Sequence, residues 1–112
     1  MPNQTFDTVQ LTDVINKCVA YSLDGRISDP NQQKFLGAAR RLRGDLVALL
    51  TLEFDAGTQA YNDATTQLQT VITVLNGRTQ AINNIANTVS EVTKLVKATD
   101  KLLDLGLAIA AH

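Results

Sequence analysis

From Tyr61 to Leu103 a single seven-residue spacing runs through Tyr61, Ala64, Leu68, Val71, Leu75, Arg78, Ile82, Ile85, Val89, Val92, Val96, Thr99 and Leu103. The opposite positions carry Thr, Asn, Gln, Ser, Lys and Asp, and they include Asn76 and Gly77. Segregation of this kind over about six heptads is the pattern of one amphipathic helix. Asn76-Gly77 followed by Thr79 also reads as a helix stop and a fresh start, and an interior Gly costs about 1 kcal/mol relative to Ala. Because both residues fall on the polar face and the apolar phase resumes at Ile82 and Ile85, the expectation is one helix over about 58–104. The alternative is a four-helix bundle broken at Asn76-Gly77.

Two shorter helices precede it. Leu11, Val14, Ile15, Cys18 and Val19 form one stripe, with Asp7 or Thr8 as N-cap and Asp24-Gly25 as a left-handed stop, which predicts a helix over about 8–23. Asp29-Pro30 pairs a capping carboxylate with a first-turn proline, and Phe35, Ala39, Leu42, Leu46, Leu49 and Leu50 continue from it. The second helix is therefore placed at about 30–55, ending at a left-handed Gly57. Residues 1–7 and 106–112 read as loose or partner-dependent tails of a single helical domain. Gly37, Gly44, Ala48 and Thr51 form a small-residue stripe, either a close-approach face or tolerated surface.

At 1.5 Å per residue the long helix would measure about 70 Å and the second about 39 Å. The second cannot cover all of the first. Ile82 to Leu103 then needs cover from elsewhere, and a second copy of the chain is its natural source. The predicted interaction surface is Arg78, Ile82, Ile85, Val89, Val92, Val96, Leu103, Leu107 and Ile109, in a homo-oligomer with a dimer favoured and an unidentified protein partner as the other possibility. Arg78 occupies a core-type position, where its stem can cover apolar surface or its charge can pair with Asp24, Asp29 or a second chain.

Composition narrows the chemistry. The chain has 112 residues, 45% hydrophobic but only 4% aromatic, with net charge -1, which suits aliphatic helix-on-helix packing and argues against steering toward nucleic acid. Its one cysteine, Cys18, excludes an internal disulfide framework and fits a buried apolar stripe. The one histidine, His112, is terminal, which leaves no zinc set and no partner for a nucleophilic serine. No Gly-rich phosphate loop is visible. The reading is a non-enzyme without cofactor or metal.

Arg40, Arg41 and Arg43 form the densest basic patch, with Lys34 before it. The patch lacks aromatic stacking partners and is followed by Asp45, so pairing with acids of a neighbouring helix is the expectation over phosphate contact. The start of the chain shows neither a basic flank nor an apolar run, and the greasiest stretches, Leu46 to Leu52 and Leu105 to Ala111, fall well short of the roughly 20 residues that span a bilayer. A cytoplasmic protein is expected.

The expected fold is all-α, and the expected function is a non-catalytic interaction or assembly module that self-associates through its apolar seam. In overall character, a long helix with a Thr/Asn/Gln-rich outer face resembles helical pore-forming toxins and secretion-apparatus rods. That likeness implies the alternative, a membrane-active helical component using Leu102 to Ala111, or Leu46 to Leu52 after rearrangement.

Overall fold

The computed structural model describes residues 3–110, with side chains over 4–108, and the fold is all-α apart from one short ribbon. Strand β1 (Asn3–Thr5) is followed by helices α1 (Thr8–Ser22) and α2 (Asp29–Leu49), strand β2 (Glu53–Asp55), and helices α3 (Gln59–Asn76), α4 (Arg78–Asn83) and α5 (Ile85–Ala110).

The helices form two antiparallel hairpins, α1–α2 and α3–α5, packed side by side. Bonds from Gln69 to Gln10 and from Lys17 to Asn76 set α3 parallel to α1. The groove between Lys34, Gly37 and Ala38 on one side and Thr93 and Val96 on the other, followed by the Arg41–Asp100 pair, sets α5 parallel to α2. One end of the bundle holds the α1–α2 loop and the α3–α4–α5 corner. The ribbon closes the other end, with Asn3 opposite Asp55, Gln4 opposite Phe54 and Thr5 opposite Glu53.

The start of α1 is as the sequence dictates: the Asp7 carboxylate accepts from the Gln10 amide at 2.9 Å, a side-chain N-cap. At α2 the N-cap is Ser28, one residue earlier than the expected Asp29, which with Pro30 lies inside the first turn. Gly25 and Gly57 do not stop helices by left-handed backbone, since no glycine among the described residues has positive φ. Instead Asp24 organises its loop by accepting from the Arg26 amide at 2.9 Å, and Asp55 accepts from the Gly57 amide at 2.8 Å.

Three expectations are corrected. The second helix stops at Leu49 rather than about 55, because the chain swings under the bundle to bury Phe54, 1% exposed, between Tyr61 and Gly106. Residues 3–7 are not loose: β1 pairs with β2 and Phe6 is buried, while α5 carries helix past residue 106.

The third correction is the largest. The long helix is broken, at Gly77 (φ -83°, ψ 63°) and again at Asn84 (φ -114°, ψ 48°), so the layout is the broken alternative with α4 as an added turn. The molecule extends 47 × 20 × 19 Å, too short for a 70 Å rod. The corner is tied by polar groups. Thr88 Oγ1 donates to the Ala81 carbonyl at 2.8 Å, an acceptor at the end of α4, and lies 3.2 Å from the Asn84 carbonyl, which also accepts the Thr88 backbone N–H at 3.0 Å.

The break also rotates the helix that follows. In α3 the buried set is Ala64, Leu68, Val71 and Leu75, as the heptad phase requires. In α5 it is Thr88, Val92, Leu95, Thr99 and Leu102, a stripe shifted by about one position that shares only Val92 and Thr99 with the expected one. The register argument for continuity fails at this point: the phase seen in sequence is not the face the bundle buries.

Candidate interaction surface

Most of the predicted surface residues pack against the bundle itself. With α5 folded back on α3 and α2, Val92 is 2% exposed, and Ile82, Ile85, Val89 and Val96 are half-buried against the bundle's own core. Leu103 is also half-buried. The length argument for self-association falls with the long helix. Arg78 is exposed at the start of α4, its guanidinium 5.9 Å from the centroid of the Tyr21 ring. Leu107 remains 54% exposed, and the Ile109 side chain lies outside the described residues.

What the fold does leave open gathers at the ribbon end. Val9 (81% exposed) lies in the first turn of α1, Val47 (66%) in the last turn of α2 and Leu50 just beyond it, and Leu107 in the last turns of α5. Leu23, at the opposite end, is the other large apolar residue this exposed among those described. Around the ribbon end stand the exposed carboxylates Asp7, Glu53, Asp55, Asp63 and Asp104, with Arg43 and Lys101 as the nearby bases. None of the five is in an ion pair among the described residues. An open groove of about 460 Å³ runs beside them between α1 and α3, lined in part by Asp7, Val9, Gln10, Tyr61 and Gln69. This end was hidden in the sequence because its members sit at α1, α2, β2, α3 and α5, which only the tertiary fold brings to one end.

The basic patch is split. Arg41 Nε donates to both Asp100 oxygens at 3.0 and 3.2 Å, the neighbour-helix pairing expected of it. Arg40 and Arg43 are exposed and in no ion pair among the described residues. The small-residue stripe is no close-approach face, because a Cβ on Gly37 or Gly44 would meet nothing within 4 Å. The glycine that does admit a neighbour is Gly106, where a Cβ would stand 2.8 Å from Leu52 and 3.0 Å from the Phe54 ring.

Two polar groups, Asp45 and Thr99, lie buried between α2 and α5. Asp45 is 5% exposed and Thr99 fully buried, with Thr99 Oγ1 donating to Asp45 Oδ2 at 3.0 Å. Burial, then the neighbouring Asp100 carboxyl, pushes the Asp45 carboxyl up to about 6, against the Thr99 bond and the charge of Arg41. Burial works to raise Asp100 as well, but the neighbouring Asp45 carboxyl and the Arg41 guanidinium outweigh that and hold it below the ordinary carboxylate range. Such an acid inside a helix–helix seam reads in sequence as one more solvated residue after a basic run.

Elsewhere, Gln67 Nε2 donates to the Glu91 carbonyl and carboxylate at 2.9 and 2.8 Å, and this bond chiefly holds Glu91 below its usual range. Cys18 is fully buried and its thiol is pushed up to about 12 by burial, so it is inert as a nucleophile. Among the described residues no set of three His, Cys, Asp or Glu converges on a metal position, and no helix is long and apolar enough to cross a membrane. No family model matches the chain, and neither a curated protein nor a solved structure shows significant similarity to it.

Proposed function

We propose that this protein is a non-catalytic interaction and assembly module whose contact surface is the ribbon end of the bundle. The observation that carries the reading is that Val9, Val47, Leu50 and Leu107, all more than half exposed, lie at one end of the bundle, where five exposed carboxylates stand outside any ion pair among the described residues. Exposed apolar side chains accompanied by charged ones suit a protein contact. The sign of the charge selects the partner, which must bring apolar contact and a basic border.

The chain itself carries such a border. Arg40 and Arg43 project from α2 without ion-pair partners among the described residues, and Val47 lies on the same helix. The assembly expected is head-to-side, the acidic end of one copy on the basic α2 face of the next. An end-to-end dimer would set carboxylate against carboxylate. Light scattering over a concentration series tests this. The expected result is an oligomer at low salt that salt disperses, and that both Leu50→Glu and the double variant Arg40→Glu/Arg43→Glu abolish while helicity is kept. A monomer under every condition would overturn self-association. Leakage of anionic vesicles by the wild type, lost in Leu107→Glu, would replace this reading with a membrane-active one.

A further inference from the structure

We propose that α5 is exchangeable between two copies of this chain: the corner straightens, and α5 of each copy takes the other's seat against α2 and α3. This contact is independent of the ribbon end. It asks three things of the corner. The chain there must not be forced to turn, its backbone groups need partners in both forms, and the straight form must bury something that the closed form leaves half open.

Nothing in the corner requires a turn. Gly77 and Asn84 keep negative φ, at -83° and -114°, and depart from helix in ψ, at 63° and 48°. Rotating each ψ by roughly 100° returns it to a helical value. No proline follows Pro30, and no described residue has positive φ. A Cβ on Gly77 would come no closer than 3.7 Å to the Val74 carbonyl, which is ordinary contact, so the break does not depend on glycine.

Two carbonyls at the breaks are held by side chains that a helix would replace. The Leu75 carbonyl accepts from the Tyr21 hydroxyl at 2.7 Å, and the Ala81 carbonyl from Thr88 Oγ1 at 2.8 Å. In an unbroken helix the same carbonyls accept from the Thr79 and Ile85 amides, four residues on. Neither form strands these acceptors.

The seven-residue phase that passes through the corner then has a physical use. Ile82, Ile85 and Val89 are half-buried in the closed form and share one row with Leu75 on a straight helix. Two such helices, each about 78 Å long, set these rows face to face where they cross antiparallel. Arg78 falls in the same row, where its stem covers apolar neighbours. Leu95 and Leu102 stay buried, now in the other copy's hairpin, so the contacts that bury them are the same in both forms.

The test refolds two single-substitution chains together from urea at high protein concentration, one carrying Gln67→Cys and the other Glu91→Cys. Gln67 of α3 stands 2.8 Å from the Glu91 carboxylate of α5, so only exchange brings the two new thiols together across chains. A short bismaleimide added after refolding is expected to yield a covalent heterodimer, with the buried Cys18 unlabelled. That dimer should survive the high salt and the Leu50→Glu change that disperse a ribbon-end assembly. Gly77→Ala with Asn84→Ala favours the continuous helix and should raise the association constant about tenfold or more. Arg78→Pro should abolish the dimer, because proline is tolerated at the first position of α4 but clashes with the Val74 carbonyl in a continuous helix. A Gly77→Ala/Asn84→Ala chain that stays monomeric would overturn the exchange, as would a salt-resistant dimer whose two thiols do not link. The cross-link decides alone if a corner variant fails to fold.

Discussion

The Tyr21 hydroxyl donates a 2.7 Å hydrogen bond to the backbone carbonyl of Leu75, 54 residues downstream, and so ties the last turn of α1 to the last turn of α3. The same ring stacks on Phe35 of α2 at 5.3 Å and carries the Arg78 guanidinium of α4 on its face. One side chain thus joins four helices at the corner end. Tyr21→Phe keeps the ring and strands a buried carbonyl at a helix end, so unfolding by urea should show a loss of about 1–2 kcal/mol.

Gly106 and Gly44 should respond to alanine in opposite directions. At Gly106 the new methyl would meet Leu52 at 2.8 Å and the Phe54 ring at 3.0–3.1 Å, and the ring is wedged against Tyr61. Overpacking there should cost about 1–3 kcal/mol. At Gly44, in the interior of α2, nothing lies within 4 Å, and alanine should add about 0.5–1 kcal/mol of stability by propensity alone. Thermal melts of the two variants, recorded side by side, check both signs.

The rotated face of α5 makes a prediction that heptad phase would get backwards. Leu95 is fully buried and Leu103 only half-buried, although the spacing read from the sequence puts Leu103 inward and leaves Leu95 out of the inward set. Leu95→Ala should cost about 2–5 kcal/mol by chemical denaturation, and Leu103→Ala clearly less. Equal costs would restore the sequence phase.

Cys18 should be silent to alkylation in the folded protein. Its thiol is buried and held protonated far above neutral pH, so iodoacetamide labelling should proceed only through unfolding, at a rate that rises with urea. Fast labelling of the native chain would place Cys18 outside the core.

How much of this was legible in the sequence depends on how local the cause is. Asp7 and Pro30 announce helix starts because capping and proline geometry act within a turn, and both α1 and α2 begin where those residues put them, to within a residue. The buried stripes of α1 and α3 follow from spacing alone. The ribbon was hidden because three-residue strands carry no alternation to detect, and its cause, burial of Phe6 and Phe54 under the bundle, is a tertiary one. Asp45 was hidden for the same reason. Nothing within a turn of it says that Thr99 and Asp100 will stand opposite.

The corner at Gly77 and Asn84 has a consequence for the whole second hairpin. The stretch after it carries two overlapping apolar stripes, Ile85, Val89 and Val96 on one and Thr88, Leu95 and Leu102 on the other, with Val92 and Thr99 common to both. A straight continuation of α3 would turn the first stripe inward, and the corner turns in the second. The two breaks therefore act as an indexing step, selecting which of two usable faces becomes interior. That selection makes Leu95 and Leu102, rather than Val96 and Leu103, the fully buried aliphatic side chains of α5.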